Sequence, residues 1–150
     1  MNNLLEMNDL FTYYSGSLID FLKDVQGNRS NRLMKIVLSP ASSNMIDSSF
    51  NHVLDNFAVK HIFNKHANEK EVQRGQIMVE ISDFLLIPDI LANYDSCTIL
   101  SHPTGRKLIL YSKLYEDCIR FYVEEERKGR RELAGVTFYK KKKKLTGANS

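Results

Sequence analysis

The sequence predicts an α+β fold in which helices come first and an antiparallel β-sheet meander follows. Apolar residues recur at helical spacing in the first half of the chain, whereas the segments after residue 96 alternate between apolar and polar side chains. Turn signals at residues 102–105 and 128–129 join neighbouring segments into hairpins. We therefore predict strands at residues 97–101, 106–112, 118–125 and 131–140.

The front of the chain is predicted to be mainly helical. Residues 4–25 have apolar positions at roughly helical spacing, with Gly16 as a break and Gly27 as the stop. Residues 33–38 are predicted as a short strand, and residues 39–49, which contain five serines, as a loop. A further helix is expected to begin with Ser48 or Ser49 as its N-cap, because the apolar residues that follow have helical spacing: Phe50, Leu54, Phe57, Ala58 and Ile62.

A short connecting region precedes the predicted meander. Gly75 opens a predicted strand at residues 76–81, and Ser82 or Asp83 then caps a short helix that Pro88 interrupts or restarts. The helix is predicted to be a buried connector because it carries a group of apolar side chains: Leu85, Leu86, Ile90 and Leu91.

Length and charge predict one domain with a near-neutral body. The chain has 150 residues, of which 43% are hydrophobic, and its formal net charge is +3. The five lysines of residues 140–144 exceed that net charge, so the rest of the chain is slightly acidic. The lysine run is either a solvated, disordered tail or an electrostatic arm for nucleic acid.

The N-terminus and the cysteines indicate a cytoplasmic protein. Residues 1–6 lack both a basic flank and an unbroken apolar run, so neither a signal peptide nor a membrane span is predicted. Cys97 and Cys118 lack the spacing of a zinc ribbon and are too few for a disulfide scaffold. We expect buried, reduced thiols, with a cross-strand pairing as the alternative.

Side-chain alternation predicts one polar face on the sheet. In the last strand Phe138 marks the core side, and the other side of the sheet is expected to collect cations, phenols and a hydroxyl. Such a face suits phosphate binding and base stacking, although a solvated face with cross-strand polar pairs is the alternative. Its members are Lys107, Tyr111, Arg120, Tyr122, Thr137 and Tyr139.

The residues His61, Lys65 and His66 predict acid–base chemistry on a phosphodiester, or else a solvated helix end. The two histidines lie five positions apart, about 140° around a helix, whereas a zinc-binding helix uses positions i and i+4. The sequence has no carboxylate cluster beside them, no P-loop and no Gly-flanked serine. We therefore predict no metal and no cofactor.

These elements together resemble the phage-associated barnase-EndoU-colicin-RelE-like (BECR fold) nucleases, which place an H-x-x-x-K-H helix before a compact antiparallel sheet. The resemblance runs over residues 50–140. It rests on His61, Lys65 and His66, on Gly75-Gln76, on Ser82-Asp83-Phe84 with residues 87–91, on Arg106 and Lys107, and on Val136-Thr137-Phe138-Tyr139. We accordingly divide the chain into a helical extension (1–49), a BECR-like nuclease domain (50–140) and a basic, disordered tail (141–150).

The resemblance implies a metal-independent endoribonuclease of the toxin or effector type carried by phages and mobile elements. In such enzymes the RNA 2′-hydroxyl attacks the adjacent phosphate, helped by a base, an acid and cations. By position, His61 and His66 would be the base and the acid in either order. The implied catalytic residues are His61, His66, Lys113, Thr137 and Tyr139, and the implied substrate-binding residues are Lys65, Arg106, Lys107, Tyr111, Arg120 and Tyr122.

The same resemblance implies RNA as the partner, with tRNA one class of target, together with an immunity or antitoxin protein and no membrane. One geometric condition follows from the predicted core. A helix packed on the Phe138 side of the sheet can reach Thr137 only if the site lies at a sheet edge; otherwise the helix histidines are structural. The alternative function is a catalytically inactive nuclease-like fold that acts as an interaction or RNA-binding module.

Overall fold

The computed structural model describes residues 11–27, 32–40, 49–67, 76–101 and 103–143, and the predictions for residues 4–10, Ser48, Gly75, His102 and Lys144 lie outside them. The elements in chain order are β1 (Phe11–Tyr13), α1 (Leu18–Gly27), β2 (Leu33–Pro40), β3 (Asn51–Asp55), α2 (Asn56–His66), β4 (Gln76–Ile77), α3 (Ile81–Phe84), α4 (Ile87–Asn93), β5 (Ser96–Ser101), β6 (Lys107–Leu114), β7 (Ile119–Arg127), a 3₁₀ turn (Lys128–Arg130) and β8 (Glu132–Lys141).

The described strands join one sheet in the order β1-β2-β3-β8-β7-β6-β5, and β4 pairs with the end of β8. Strands β5 to β8 form an antiparallel meander, whereas β1 with β2 and β3 with β8 pair in parallel. The predicted α+β class with its C-terminal meander is confirmed. The sheet also continues from β2 to β3, and the division of the chain at residue 49 stays a prediction.

The predicted helix over residues 4–25 is wrong in part. Residues 11–13 form β1, which exists because it pairs with β2 more than twenty positions away. Helical spacing cannot reveal such a long-range pairing. Helix α1 begins only at Leu18, ends at the predicted stop Gly27 and buries the side chains of Phe21, Leu22 and Val25.

The predicted start of the next helix is also wrong. Residues 51–55 form β3, because their backbone pairs with β2 on one side and with β8 on the other. Helix α2 therefore begins at Asn56, with Asp55 as its N-cap, and the Asp55 carboxylate accepts a hydrogen bond from the Ala58 N–H at 2.7 Å. Ile62 is buried as predicted, whereas Phe57 is 45% exposed.

The connecting region has less strand and more helix than predicted. Strand β4 contains only residues 76–77, and the N-cap of α3 is Glu80 rather than Ser82 or Asp83. Asp83 completes that cap by accepting a hydrogen bond from the Glu80 N–H at 2.7 Å. Pro88 lies in the first turn of α4 as predicted, and Ile90 and Leu91 are buried, whereas Leu85 is exposed.

A β-bulge overturns the predicted polar face of the sheet. Val123 pairs with Thr137 and Glu124 pairs with Gly135, so Val136 has no partner on β7. Tyr122 pairs with Phe138 and Tyr111 pairs with Tyr122, so these side chains share one face. The prediction that Lys107, Tyr111, Arg120, Tyr122, Thr137 and Tyr139 share a face is wrong. Thr137 and Tyr139 point away from Phe138, and the other four do not.

The face that carries Phe138 is covered by helices and forms the core. The Phe84 ring of α3 meets the Phe138 ring edge to face at 5.5 Å, and Phe63 of α2 packs against Phe84 at 5.2 Å. We call this the helix-covered face. The opposite face, which carries Thr137 and Tyr139, includes Leu100 and Leu114, which are 43% and 55% exposed. We call it the open face.

Two further features bear on the predicted environment of the chain. Cys97 and Cys118 are both free thiols; Cys118 is buried and Cys97 is half-buried. No cross-strand disulfide joins them. In the part of the chain that the structure describes, no helix has the length and apolar character needed to cross a membrane.

Candidate functional site

Helix α2 lies beside the C-terminal half of β8. Strand β3 pairs with β8 only as far as Ala134, and β4 pairs only with Lys140 and Lys141, so residues 135–139 have neither strand beside them. Because α2 follows β3 without a connecting loop, it packs along this stretch. This is the sheet-edge arrangement that a site shared by α2 and β8 requires.

The last turn of α2 brings His66 to Thr137. The Nε2 atom of His66 lies 3.3 Å from the Thr137 hydroxyl oxygen, within hydrogen-bond range. The backbone carbonyl of His66 accepts a hydrogen bond from the Val79 N–H at 2.8 Å, which fixes the end of the helix. His66 is 6% exposed, so its imidazole is held tightly between helix and sheet.

Aromatic rings and one cation surround this contact. The Tyr139 ring lies 5.7 Å from the His66 ring, and it stacks on Phe121 at 4.9 Å with an interplanar angle of 10°. The Lys141 ammonium lies over both rings, 5.6 Å from the centre of Phe121 and 5.8 Å from that of Tyr139. We call these five residues the open-face cluster: His66, Phe121, Thr137, Tyr139 and Lys141.

Burial raises the pKa of the Tyr139 hydroxyl above its usual value. The phenol therefore stays protonated at neutral pH. The cluster thus combines an imidazole, a hydroxyl, an aromatic surface and an ammonium, the kinds of group that proton transfer and nucleotide binding need.

His61 and Lys65 lie elsewhere on the same helix. Both are exposed, whereas His66 is buried. His61 lines an open groove of about 410 Å³ together with other residues of α2, β2, β3, β7 and the bulge: Leu33, Asp55, Phe57, Ala58, Arg127, Gly135 and Val136. The structure therefore does not place the two histidines on one phosphate.

The predicted cations of the meander are already engaged. Lys113 donates to the Asn93 carbonyl at 2.9 Å and lies 5.7 Å from the centre of the Tyr115 ring, in β6 rather than beside His66. Arg106 forms an ion pair with Glu125, and Lys107 lies 3.6 Å from Glu126. Both pairs connect β6 to β7.

The three remaining predicted substrate-binding residues, Tyr111, Arg120 and Tyr122, are buried on the helix-covered face. Arg120 donates to Asp83 at 2.7 and 2.9 Å, and Lys140 adds a second cation at 3.0 Å from Asp83. These contacts make Arg120 part of the fold's interior.

A second buried polar pair, His52 with Glu124, lies beside the two tyrosines. The Nδ1 atom of His52 lies 2.7 and 2.9 Å from the Glu124 carboxylate oxygens. Burial raises the pKa of Glu124, and His52 opposes that shift. Burial followed by the charge of Glu124 raises the pKa of both Tyr111 and Tyr122, so neither phenol ionises at neutral pH.

Sequence reasoning missed Phe121 and Lys141 as members of the open-face cluster. Phe121 is absent from the predicted polar face, and Lys141 falls in the predicted tail. The signal that could have found Phe121 is its pairing with Tyr139, which places both rings on one face. Among the described residues, no group of three or more His, Cys, Asp and Glu side chains is placed to bind a metal ion.

Comparison with known families adds a further finding. The model of the family "phage-Barnase-EndoU-ColicinE5/D-RelE like nuclease3" (PBECR3) matches residues 30–147. The chain belongs to this family. Neither a search of curated proteins nor a search of solved structures gave a match.

Membership of PBECR3 confirms the resemblance and makes the chain a member of a phage-associated nuclease family. The matched residues 30–147 include α2, β7 and β8, and with them every residue of the open-face cluster. The match begins before β2, so it also includes part of the predicted N-terminal extension.

Proposed function

We propose that this PBECR3 protein is a metal-independent endoribonuclease whose catalytic centre is the open-face cluster. The observation that carries the proposal is the 3.3 Å approach of His66 Nε2 to the Thr137 hydroxyl at the junction of α2 and β8. A histidine is the side chain best suited to proton transfer near neutral pH.

His66 supplies the proton transfers in this proposal. The proposal uses the tautomer in which Nε2 accepts a hydrogen bond from the Thr137 hydroxyl, since a base needs a nitrogen that can accept a proton. The RNA 2′-hydroxyl replaces Thr137 as donor, passes its proton to Nε2 and attacks the adjacent phosphorus. The bond from phosphorus to the 5′-oxygen then breaks, and the imidazolium returns the proton to that oxygen. The products are a 2′,3′-cyclic phosphate and a 5′-hydroxyl.

The rest of the open-face cluster binds the nucleotide. Stacked Phe121 and Tyr139 offer an aromatic surface for a base, and Lys141 supplies positive charge for the phosphate as negative charge gathers on its oxygens. Tyr139 acts through its ring, since the ring makes the contacts with His66, Phe121 and Lys141.

The proposal extends to the biological setting. A phage-associated nuclease family is consistent with a toxin or effector that acts on cytoplasmic RNA, with tRNA one class of target. An immunity or antitoxin protein would then protect the producing cell.

A second candidate function is supported by the low exposure of His66. An imidazole that is 6% exposed also suits a purely structural residue. The alternative is therefore a nuclease-like fold without turnover that serves as an RNA-binding or interaction module.

The test is incubation of the purified protein with total RNA, tRNA and DNA in the presence of EDTA, followed by analysis of the product ends. We expect RNA cleavage with cyclic phosphate ends and no DNA cleavage, because DNA lacks the attacking hydroxyl. His66→Asn should lower the rate by about 10² to 10⁴-fold. Thr137→Val should lower it by about tenfold at most, because the hydroxyl orients the imidazole before the substrate replaces it.

Thr98→Val is the matched control. Thr98 lies on the open face in the same cross-strand row as Thr137, three strands away, and its loss should leave the rate unchanged. A folded parent protein that cleaves no RNA would favour the binding-module alternative. Full activity in folded His66→Asn would remove His66 from the mechanism.

A further inference from the structure

The turn between β7 and β8 carries four cations in five residues, Arg127, Lys128, Arg130 and Arg131. The turn is compact because the Arg131 N–H donates to the Lys128 carbonyl at 3.1 Å and Arg131 adopts a left-handed backbone with φ of 52°. The side chain of Lys128 is 80% exposed. We call residues 127–131 the basic turn.

The carboxylates near the basic turn are already engaged. Glu125 and Glu126 form ion pairs with Arg106, which precedes β6, and with Lys107 of β6. Lys128 also approaches Glu126 at 3.9 Å. Asp55 caps α2 and lies 4.0 Å from Arg127. Among the described residues, Arg106, Lys107 and the four cations of the basic turn stand against Glu125, Glu126 and Asp55, and the adjacent Glu132 is neutralised by Lys35 at 2.8 Å, so this part of the surface is locally positive.

Two grooves extend from the basic turn along α2 and β8. One groove, of about 460 Å³, is lined by Glu125, Arg127, Gly129 and Arg130. The second is the groove that contains His61, and Arg127 lines both. The second groove reaches Val136, the residue next to Thr137. From residue 132 to residue 137, strand geometry spans about 17 Å.

We propose that single-stranded RNA lies along these two grooves, with its phosphates on Arg127, which lines both, and on the exposed Lys128 beside it, and with a base against Phe57 and His61. The proposal rests on the proposed function for the identity of the ligand. A guanidinium group can donate two parallel hydrogen bonds to the oxygens of one phosphate. Phe57, which is 45% exposed, offers a ring for stacking, a contact that favours a nucleic acid over an acidic protein surface.

In this proposal the two grooves hold the part of the RNA strand that flanks the cleaved bond. At the spacing of stacked bases, the span of about 17 Å corresponds to about five nucleotides. A dinucleotide at the open-face cluster would not reach the basic turn, whereas a ten-nucleotide strand would. The length of the RNA therefore distinguishes binding along the two grooves from binding at the open-face cluster alone.

The test measures binding of a ten-nucleotide 2′-O-methyl RNA, which cannot be cleaved, by fluorescence anisotropy at several salt concentrations. The variants are Arg127→Gln, Lys128→Gln and their combination. The matched control is Lys23→Gln, because Lys23 is an exposed lysine of α1. For the combined variant we expect at least tenfold weaker binding, and the slope of log K against log salt should fall by about 1.4, two phosphate contacts at about 0.7 each.

The two proposals fail in different ways. If the parent binds RNA through the groove but cleaves nothing, the groove proposal stands and the proposed function is overturned. If cleavage of a dinucleotide and of a ten-nucleotide RNA is unchanged in the combined variant, and its affinity and salt slope equal those of the parent, the groove proposal is overturned. Unchanged RNA affinity with lost binding of polyglutamate would reassign the groove to an acidic protein partner.

Discussion

The two faces of the sheet use polar residues in opposite ways. On the helix-covered face, Arg120 and Lys140 are both bound to Asp83, and all three side chains are less than a tenth exposed. On the open face, His66 of α2 approaches the Thr137 hydroxyl of β8 at 3.3 Å. Residue type alone therefore does not separate a structural ionic network from a candidate catalytic group.

The difference has a physical reason. A buried charge is tolerated only when partners compensate its lost hydration, so the ions of the helix-covered face must be saturated. A residue that handles a substrate must instead keep some bonding capacity for it. The open-face cluster is built instead from a hydroxyl that contacts an imidazole and from stacked aromatic rings.

The largest expected effect of breaking the helix-covered network is that of Asp83→Ala. This change leaves Arg120 and Lys140 buried without their shared carboxylate, and it also removes the cap on the Glu80 N–H. We expect the free energy of unfolding to fall by about 3–5 kcal/mol, measured by urea titration.

Thr137→Val is the comparison on the open face and should change the free energy of unfolding by less than about 1 kcal/mol. If Asp83→Ala cost no more than Thr137→Val, the distinction between the two faces would be wrong.

An intermediate effect is expected from Gly135→Ala, at the position opposite Glu124 across the bulge. A Cβ at Gly135 would lie 2.2 Å from the position of the Tyr122 hydroxyl oxygen, closer than any ordinary contact. We expect a loss of about 1–3 kcal/mol in the free energy of unfolding, the usual cost of overpacking.

Adding Tyr122→Phe to Gly135→Ala should restore part of that loss, because the hydroxyl that meets the new Cβ is absent and has no hydrogen-bond partner in the described structure. Urea titration of the two single variants and the double variant measures the coupling. Purely additive losses would show that the contact between residues 135 and 122 does not cause the destabilisation by Gly135→Ala.

The smallest expected effect is that of Asp117→Asn, which sharpens the comparison because Asp117 binds the same Arg120 as Asp83. Its side chain is 60% exposed, so solvent screens the pair and we expect a loss of about 0.2–1 kcal/mol at pH 7. The Arg120 hydrogen bond lowers the pKa of Asp117 from 3.8 to about 2.

A lowered pKa in the folded state fixes the sign of the pH dependence. The stabilisation by Asp117 is complete above pH 3.8 and is lost as the pH falls towards 2. The difference in the free energy of unfolding between the parent and Asp117→Asn should therefore shrink between pH 4 and pH 2. If the difference stayed constant over that range, the ion pair with Arg120 would not be the cause of the lowered pKa of Asp117.

Much of the candidate site was predictable from residue types, but its grouping was not. His66, Thr137 and Tyr139 were selected from the sequence, and the structure brings them together. His61 was selected with them but lines a different groove. Position along a helix gave the angle between the two histidines, and it could not say which of them would face β8.

The sequence by itself determined the α+β class, the four strands of the meander and the end of α1 at Gly27, because these depend on local periodicity and turn residues. Only the tertiary structure decided the rest. The bulge at Val136 changed which side chains share a face, and pairing with β2 and β8 turned residues 51–55 from the predicted helix into a strand. The bulge and this strand both depend on long-range hydrogen bonds between backbones. Such bonds override local preference, and the spacing of side chains along the sequence does not reveal them.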